Sequence, residues 1–466
     1  MPIYKLTSKE KTLISDLLLE KNVAIDKLCS GMGTCGKCKV KATGDLSPIC
    51  ETEKKFLSEK EIDENVRLAC KTYVCGEAIV EVHENTVLFK ETETHDIEVC
   101  VAAVDIGTTV IEAYFFSLPD YKMIKKAKTK NLQKQFGADV ISRITFAKDE
   151  DSINKLREAA EESIKQLAGN LYDKVENWVI TGNTTMLHMF LGINPKGIAQ
   201  YPFIAETLFG YSRGNKYFPP CISSYIGADV VAAILSSNML NEEYPSMLVD
   251  IGTNGEMALF DGEKLYCAST SAGPALEGAS ISMGMTAEKG AICKVDKDGI
   301  FKTIENTKPT GICASGLIDA IAFMLESRLL NKDGYLDKPF EILNSNVFIT
   351  PADIREVQLA KAAISAGIET LLSVNNIDIS ELKTLYIAGA LGNNADVNNC
   401  KKIGLIPPIE SRKIKLMGNA SIDGAVMILK DEILRETAEK IVSISKTCEL
   451  SLSDEFTSKY INNMSF

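Results

Sequence analysis

One pattern recurs in this chain and settles most of what it can become: an apolar run ending in Asp-Ile-Gly-Thr. It appears as Val99-Cys100-Val101-Ala102-Ala103-Val104 leading into Asp105-Ile106-Gly107-Thr108-Thr109-Val110. It returns as Ser246-Met247-Leu248-Val249 leading into Asp250-Ile251-Gly252-Thr253-Asn254-Gly255-Glu256. Short apolar runs bounded by turn residues read as buried strands. A strand that ends in Asp and turns through Gly-Thr offers backbone amides and hydroxyls to phosphate oxygens. Its aspartate can hold Mg²⁺, directly or through water, or orient an attacking water. One copy is no more than a β-turn. Two copies, about 145 residues apart, imply a duplicated domain with a nucleotide between its halves.

Cysteines impose the second constraint. Cys29, Cys35 and Cys38 stand in Cys-Ser-Gly-Met-Gly-Thr-Cys-Gly-Lys-Cys, and Cys70 follows in Arg67-Leu68-Ala69-Cys70. This C-x5-C-x2-C spacing is a small variation on the plant-type [2Fe–2S] pattern, C-x4-C-x2-C with a distant fourth cysteine. Two irons need four thiolates. Gly31, Gly33 and Gly36 let the loop fold closely around a cluster and bring amides near its sulfurs. Structural zinc is the rival, but zinc ribbons usually pair two C-x2-C knuckles, and here only Cys35 and Cys38 make one. Cys50 and Cys75 are spare thiols or alternative ligands, and the remaining cysteines read as buried small hydrophobes. Thirteen cysteines, with no signal-peptide pattern at Met1-Pro2-Ile3-Tyr4-Lys5, point to a reducing cytoplasm rather than a disulfide framework.

Composition excludes several classes. A net charge of −12 with no basic stripe argues against nucleic acid as a partner. No run of about eighteen apolar residues suggests a membrane span. Three histidines make a histidine-based metal or acid–base site improbable. The pattern divides the chain into a ferredoxin-like domain at 1–83, a polar acidic linker at 84–98, and two halves of the duplication at 99–247 and 248–466. Within the first part we expect a helix near 13–21, a strand at 38–42, a polar helix over 51–60 and a closing strand at 79–82. These suit a β-grasp domain, with the strand region before Leu13 looking clipped.

Three further segments accompany the Asp-Gly-Thr turns. Trp178-Val179-Ile180-Thr181-Gly182-Asn183-Thr184-Thr185 lies between them, and Thr310-Gly311-Ile312-Cys313-Ala314-Ser315-Gly316-Leu317 leads into an apolar helix. Leu385-Tyr386-Ile387-Ala388-Gly389-Ala390-Leu391-Gly392-Asn393-Asn394 is a strand ending in a small-residue loop. In this order and spacing they resemble the phosphate-1, connect-1, phosphate-2, connect-2 and adenosine motifs of the ASKHA superfamily, the actin-like, RNase H-like fold of acetate and sugar kinases, Hsp70 and actin. The fold expected is α/β, with an α+β ferredoxin part.

A [2Fe–2S] domain joined to an ASKHA domain resembles the reductive activators of corrinoid proteins, which use ATP to return inactive Co(II) corrinoid to Co(I). Gln133-Lys134-Gln135-Phe136-Gly137-Ala138-Asp139-Val140-Ile141-Ser142-Arg143-Ile144, Tyr225-Ile226-Gly227-Ala228-Asp229-Val230 and Ser271-Ala272-Gly273-Pro274-Ala275-Leu276-Glu277-Gly278-Ala279 look like that family too. Long members carry a middle domain between the two parts; here only the segment 84–98 separates them, so a middle domain is expected to be missing. The resemblance implies that Cys29, Cys35, Cys38 and Cys70 ligate the cluster. Asp105 and Asp250 would serve Mg²⁺ or water, and Glu256 and Asp229 would assist hydrolysis. Gly107, Thr108, Thr109, Gly182, Asn183, Gly252, Thr253, Asn254, Gly255 and Gly316 would line the ATP site, with Gly389, Gly392 and Asn393 by the adenosine. The partners implied are a corrinoid protein and an upstream low-potential donor such as ferredoxin or flavodoxin, with a homodimer as the family-based arrangement. Three other readings stand beside it: an ATP-driven electron donor to another low-potential acceptor such as a 2-hydroxyacyl-CoA dehydratase, an ASKHA small-molecule kinase, and a non-catalytic redox sensor or electron carrier.

Overall fold

Along Lys39–Leu46 and Tyr73–Glu81 buried residues alternate with exposed ones, Val40 and Ala42 on the first strand and Val74, Ala78 and Val80 on the second. Period-two burial of this kind gives a sheet with one covered face. The computed structural model describes residues 3–20, 36, 38–82, 98–389, 391 and 395–466. Most of the linker 84–98 therefore lies outside the described residues.

The N-terminal sheet holds β1 (Ile3–Leu13), β2 (Lys39–Leu46), β3 (Val66–Leu68) and β4 (Tyr73–Glu81) in the order β1-β4-β2-β3, with every pair antiparallel. Leu6, Ile14, Leu18, Val40, Leu68, Val74 and Val80 form its core with Cys38 and Cys70. The strand expected to be clipped runs eleven residues and pairs with β4 from Ile3 to Leu13. The polar helix expected over 51–60 is two helices, Glu51–Phe56 and Glu59–Asp63. Ser58 breaks it: its backbone N–H donates to Glu61 and its Oγ accepts from the Glu61 N–H, a capping box that starts a new helix.

The chain forms two compact units, Met1–Asn177 with Thr185–Thr207, and Trp178–Thr184 with Leu208–Phe466. In the first, β5 (Cys100–Ile106), β6 (Val110–Ser117) and β7 (Met123–Lys130) make an antiparallel meander covered by the helix Glu150–Ala168. In the second, β8 (Val175–Gly182) pairs through Trp178 and Val179 with β10 (Lys216–Phe218), which pairs in turn with β9 (Tyr211–Arg213). The same unit repeats the meander as β11 (Ser246–Ile251), β12 (Asn254–Phe260) and β13 (Leu265–Ser271). The antiparallel pairing sets Asp105 opposite Glu112 in the first copy and Asp250 opposite Glu256 in the second.

The second unit also carries β14 (Ala291–Val295), β15 (Phe301–Thr303) and β16 (Gly311–Ile312) in a small sheet, and the ribbon of β17 (Phe340–Glu341) and β18 (Phe348–Ile349). Its main sheet is completed by β19 (Thr384–Gly389), β20 (Ile414–Gly418) and β21 (Ser445–Thr447), in the order β20-β19-β11-β12-β13-β21. Helix Pro351–Val374 is long and apolar enough to cross a membrane, but it is mostly buried against β12 and β13. It is a core helix. The helices Ala228–Ser237 and Ala420–Lys430 press together where Gly424 meets the carbonyl of Ala232, and Ser236 Oγ donates to the Ala420 carbonyl at 2.8 Å.

Candidate functional site: a cysteine pair and two Asp-Gly-Thr turns

Cys38 immediately precedes β2 and Cys70 follows β3, the antiparallel neighbour of β2, so the pairing of Lys39 with Leu68 brings the two cysteines together. Their sulfurs lie 3.2 Å apart and both residues are buried. That is far beyond a disulfide bond of about 2.05 Å. It approaches the spacing of about 3.8 Å for two thiolates bound at about 2.3 Å to one tetrahedral metal. Two of the four expected ligands thus fit an iron–sulfur cluster. Cys29 and Cys35 lie outside the described residues. Gly36, between Cys35 and Cys38, adopts φ +63°, the left-handed conformation its glycine allows. Cys75, on β4, is exposed.

The turn that carries Cys70 is held by a group the sequence reading missed. Glu53 is fully buried and accepts from Arg67 Nε at 2.9 Å and Arg67 Nη2 at 2.9 Å. It also accepts from the Leu68 N–H at 3.1 Å and the Thr72 hydroxyl at 2.8 Å, while Ala69 N–H donates to the Cys38 carbonyl at 2.8 Å. Burial pushes the Glu53 carboxyl up, but Arg67, the Leu68 and Cys50 amides and Thr72 outweigh it, and the net shift is downward.

In the first Asp-Gly-Thr turn, Asp105 is the penultimate residue of β5, and Gly107, Thr108 and Thr109 form a partly exposed bend before β6. The carbonyls of all three are gripped: Gly107 by Asn131 Nδ2 at 2.9 Å, Thr108 by Arg143 Nη2 at 2.6 Å, Thr109 by the Asn131 N–H at 2.9 Å. The second turn closes on itself, with the Gly252 N–H donating to the Asn254 carbonyl at 2.9 Å. Thr253 Oγ1 donates to Glu277 Oε2 at 3.0 Å, so Glu277, from the segment 271–279, stands beside this turn.

Around the second turn the carboxylates of Asp229, Asp250 and Glu256 act on one another. Each is only partly exposed. Burial, then the neighbouring Asp250, pushes Asp229 up to about 7. Burial, then Asp229 and Asp250, holds Glu256 well above the usual carboxylate range. A cation or a shared proton relieves the repulsion within such a group. Among the described residues no three His, Cys, Asp or Glu side chains converge as a preformed metal cage.

The remaining expected residues divide. Gly182 ends β8, and Asn183 and Thr184 lie against Gly227, two residues before Asp229. Gly389 ends β19 at φ +87°, opposite Ile251, where a side chain would strike the Asp250 carboxylate and the Ile251 carbonyl. Gly255 sits against the Ile364 side chain of the long helix. Gly316 is buried in the helix Ala314–Glu326 against the Ile292 carbonyl, where it serves close packing. Gly392 and Asn393 lie outside the described residues. Arg143 and Glu277 were visible in sequence only as members of segments with family resemblance; for Glu53 no local signal existed.

A ferredoxin-type sheet with a buried cysteine pair, joined to a duplicated Asp-Gly-Thr hairpin with neighbouring carboxylates, defines an iron–sulfur ATPase of the ASKHA type. Residues 5–75 match the 2Fe-2S iron-sulfur cluster binding domain, residues 100–242 the RACo middle region, and residues 244–466 the C-terminal domain of RACo, the ASKHA domain. The chain is 33% identical over 415 residues to the corrinoid activation enzyme RamQ of Eubacterium limosum, across 78% of this chain and 70% of that one. It is 26% identical over 423 residues to the [Co(II) methylated amine-specific corrinoid protein] reductase of Methanosarcina barkeri, across 78% and 76%. Among solved structures it is similar to a reductive activator for corrinoid, iron-sulfur protein, with TM-score 0.74 and 26% identity over 99% of this chain and 98% of that one. The chain belongs to the family of reductive activators of corrinoid proteins. The expectation of a missing middle domain is overturned: residues 100–242, which carry the first phosphate turn, match the RACo middle region.

Proposed function

We propose that this protein uses ATP to drive one electron from its [2Fe–2S] cluster to an inactive Co(II) corrinoid protein, restoring the Co(I) state that accepts a methyl group. The observation that carries the reading is the union, in one chain, of the Cys38–Cys70 pair with the Asp250–Glu256 hairpin and its carboxylate neighbour Asp229. The corrinoid activators at 33% and 26% identity support it. Cys29, Cys35, Cys38 and Cys70 would hold the cluster, which would supply one-electron chemistry. Plant-type clusters sit near about −400 mV, and Co(I) corrinoid is strongly reducing, so the transfer is uphill. Each deficit of about 59 mV costs about tenfold in a one-electron equilibrium. Nucleotide can offset that only by favouring one of two states of the complex.

Asp250 and Asp105 serve Mg²⁺, an ion that takes one or two carboxylates beside substrate phosphates and keeps its waters. Glu256 and Asp229 assist hydrolysis. Thr108, Thr109, Thr253, Asn254 and the amides of Gly107, Gly252 and Gly255 receive phosphates; Gly182 and Asn183 border them, and Gly389, Gly392 and Asn393 receive the adenosine. The domain bounds follow as 1–83, 84–98, 99–247 and 248–466. The protein works as a cytoplasmic homodimer fed by a ferredoxin or flavodoxin. Neither the kinase reading nor the dehydratase reading is favoured: a kinase gives the ferredoxin part no task.

The test is anaerobic. Reduced protein is mixed with a Co(II) corrinoid protein, and the visible spectrum is followed for Co(I) with and without MgATP. ATP-dependent Co(I), lost in Cys38→Ala and Asp250→Ala, is the expected result. A loaded cluster that yields no Co(I) from any corrinoid protein overturns the reading.

A further inference from the structure

Arg143 is fully buried, and the function proposed above leaves it without a task. It projects from the helix Val140–Phe146, within a segment that resembles the family without any role attached. Among the described residues, its fork contacts no carboxylate. Nη2 donates to the Thr108 carbonyl at 2.6 Å, Nε to the Gly137 carbonyl at 2.9 Å, and Nη1 lies 3.4 Å from Gln133 Oε1 and 3.2 Å from Met186 Sδ. The carboxylate it feels is Asp139, the N-cap of its own helix. Burial lowers the guanidinium to about 10, which leaves it charged at neutral pH. A buried charge without an ion-pair partner is costly to keep.

What the charge accomplishes follows from peptide geometry. In a trans peptide the carbonyl and the N–H of the next residue point opposite ways. Arg143 fixes the Thr108 carbonyl, and Asn131 fixes the carbonyls on either side of it. The Thr109 N–H is thereby turned away from the arginine, and the Thr108 N–H away from the Asn131 side-chain amide. Asn131 is itself set by Gln133, whose N–H donates to Asn131 Oδ1 at 3.0 Å, and Gln133 is held by its Nε2 donating to the Leu156 carbonyl at 2.9 Å. The two turns of the duplication are therefore braced by opposite charges, the first by a cation and the second by the Glu277 carboxylate.

We propose that Arg143, supported by Asn131 and Gln133, is a positioning residue for the first phosphate turn, and that its unpaired charge biases this turn toward the anionic end of a nucleotide triphosphate. The inference rests on the ATP reading above. Lysine cannot replace it fully, because one ammonium cannot span the Thr108 and Gly137 carbonyls as the planar fork does.

Calorimetry on the full, cluster-loaded protein tests it, with a non-hydrolysable Mg²⁺–ATP analogue and adenosine as probes. Arg143→Met is expected to weaken the triphosphate about ten- to a hundredfold, the loss of a charge-assisted hydrogen bond. Adenosine affinity and the cluster spectrum are expected to stay at wild-type values, a split that general damage to the fold would not give. Arg143→Lys is expected to fall between and supplies the test where the methionine variant does not fold. Triphosphate affinity within about twofold of wild type in either folded variant overturns the inference. So does parallel loss of adenosine and triphosphate. A wild-type protein that binds no triphosphate overturns the ATP reading, and this inference with it.

Discussion

Glu53 shows how much a single carboxylate can organise. It joins the helix Glu51–Phe56 to Arg67, Leu68 and Thr72, the residues that lead to and from Cys70. Glu53→Gln leaves the Arg67 charge buried without its partner, and chemical denaturation followed by circular dichroism is expected to show a loss of about 3 kcal/mol at pH 7. The pH dependence has a definite sign. A carboxyl lowered by folding adds stability above its ordinary value of 4.5, and that stability is lost as pH falls through the folded value. The gap between wild type and Glu53→Gln is therefore full at pH 7 and closes below about pH 4.5. Gly389 is a second single-residue constraint. Gly389→Ala places a methyl at φ +87° against the Asp250 carboxylate and is expected to destabilise by about 1–3 kcal/mol, read by thermal melting, with weaker ATP binding by calorimetry. The positions of Asp105 and Asp250 near the ends of their strands were legible in the sequence because each follows an apolar run. Glu53 and Arg143 were not, since a polar residue far along the chain from its partners looks no different from a solvated one.

Hairpins and helices carried their own signals unevenly. The apolar runs at 99–104 and 246–249 announced β5 and β11, because a buried strand needs little else to be recognised. The 51–60 helix was read as one, since a polar helix has no periodic stripe and Ser58 reveals its capping role only with Glu61 in view. Gly316 was read as a ligand contact, but its helix sits so close to Ile292 that packing explains the glycine. Close approach also governs the helix pair Ala228–Ser237 and Ala420–Lys430. Gly424→Val would drive a branched side chain into the Ala232 backbone, and a loss of at least about 3 kcal/mol is expected in thermal or denaturant melts.

For the molecule as a whole, the chemistry divides between an electron store near the N-terminus and a nucleotide machine beyond residue 98. Removing the iron with a chelator is expected to abolish Co(I) formation while leaving affinity for the ATP analogue unchanged, measured on the same preparation by spectroscopy and calorimetry. Nucleotide affinity that collapses with the iron would show that the two are coupled even at rest. The order of the parts was legible from the cysteine spacing and the repeated turns, but the middle region was not, because it carries the first turn and reads as half of the duplication. The 3.2 Å approach of Cys38 and Cys70 has a consequence for how this protein ages. Stripped of iron and exposed to air, two thiols held this close surrender two electrons and two protons to an oxidant and bond to each other. Such a crosslink would occupy two of the cysteines proposed to hold the cluster, so protein that has once lost its iron in air is expected to regain activity only after a reductant has reopened the pair.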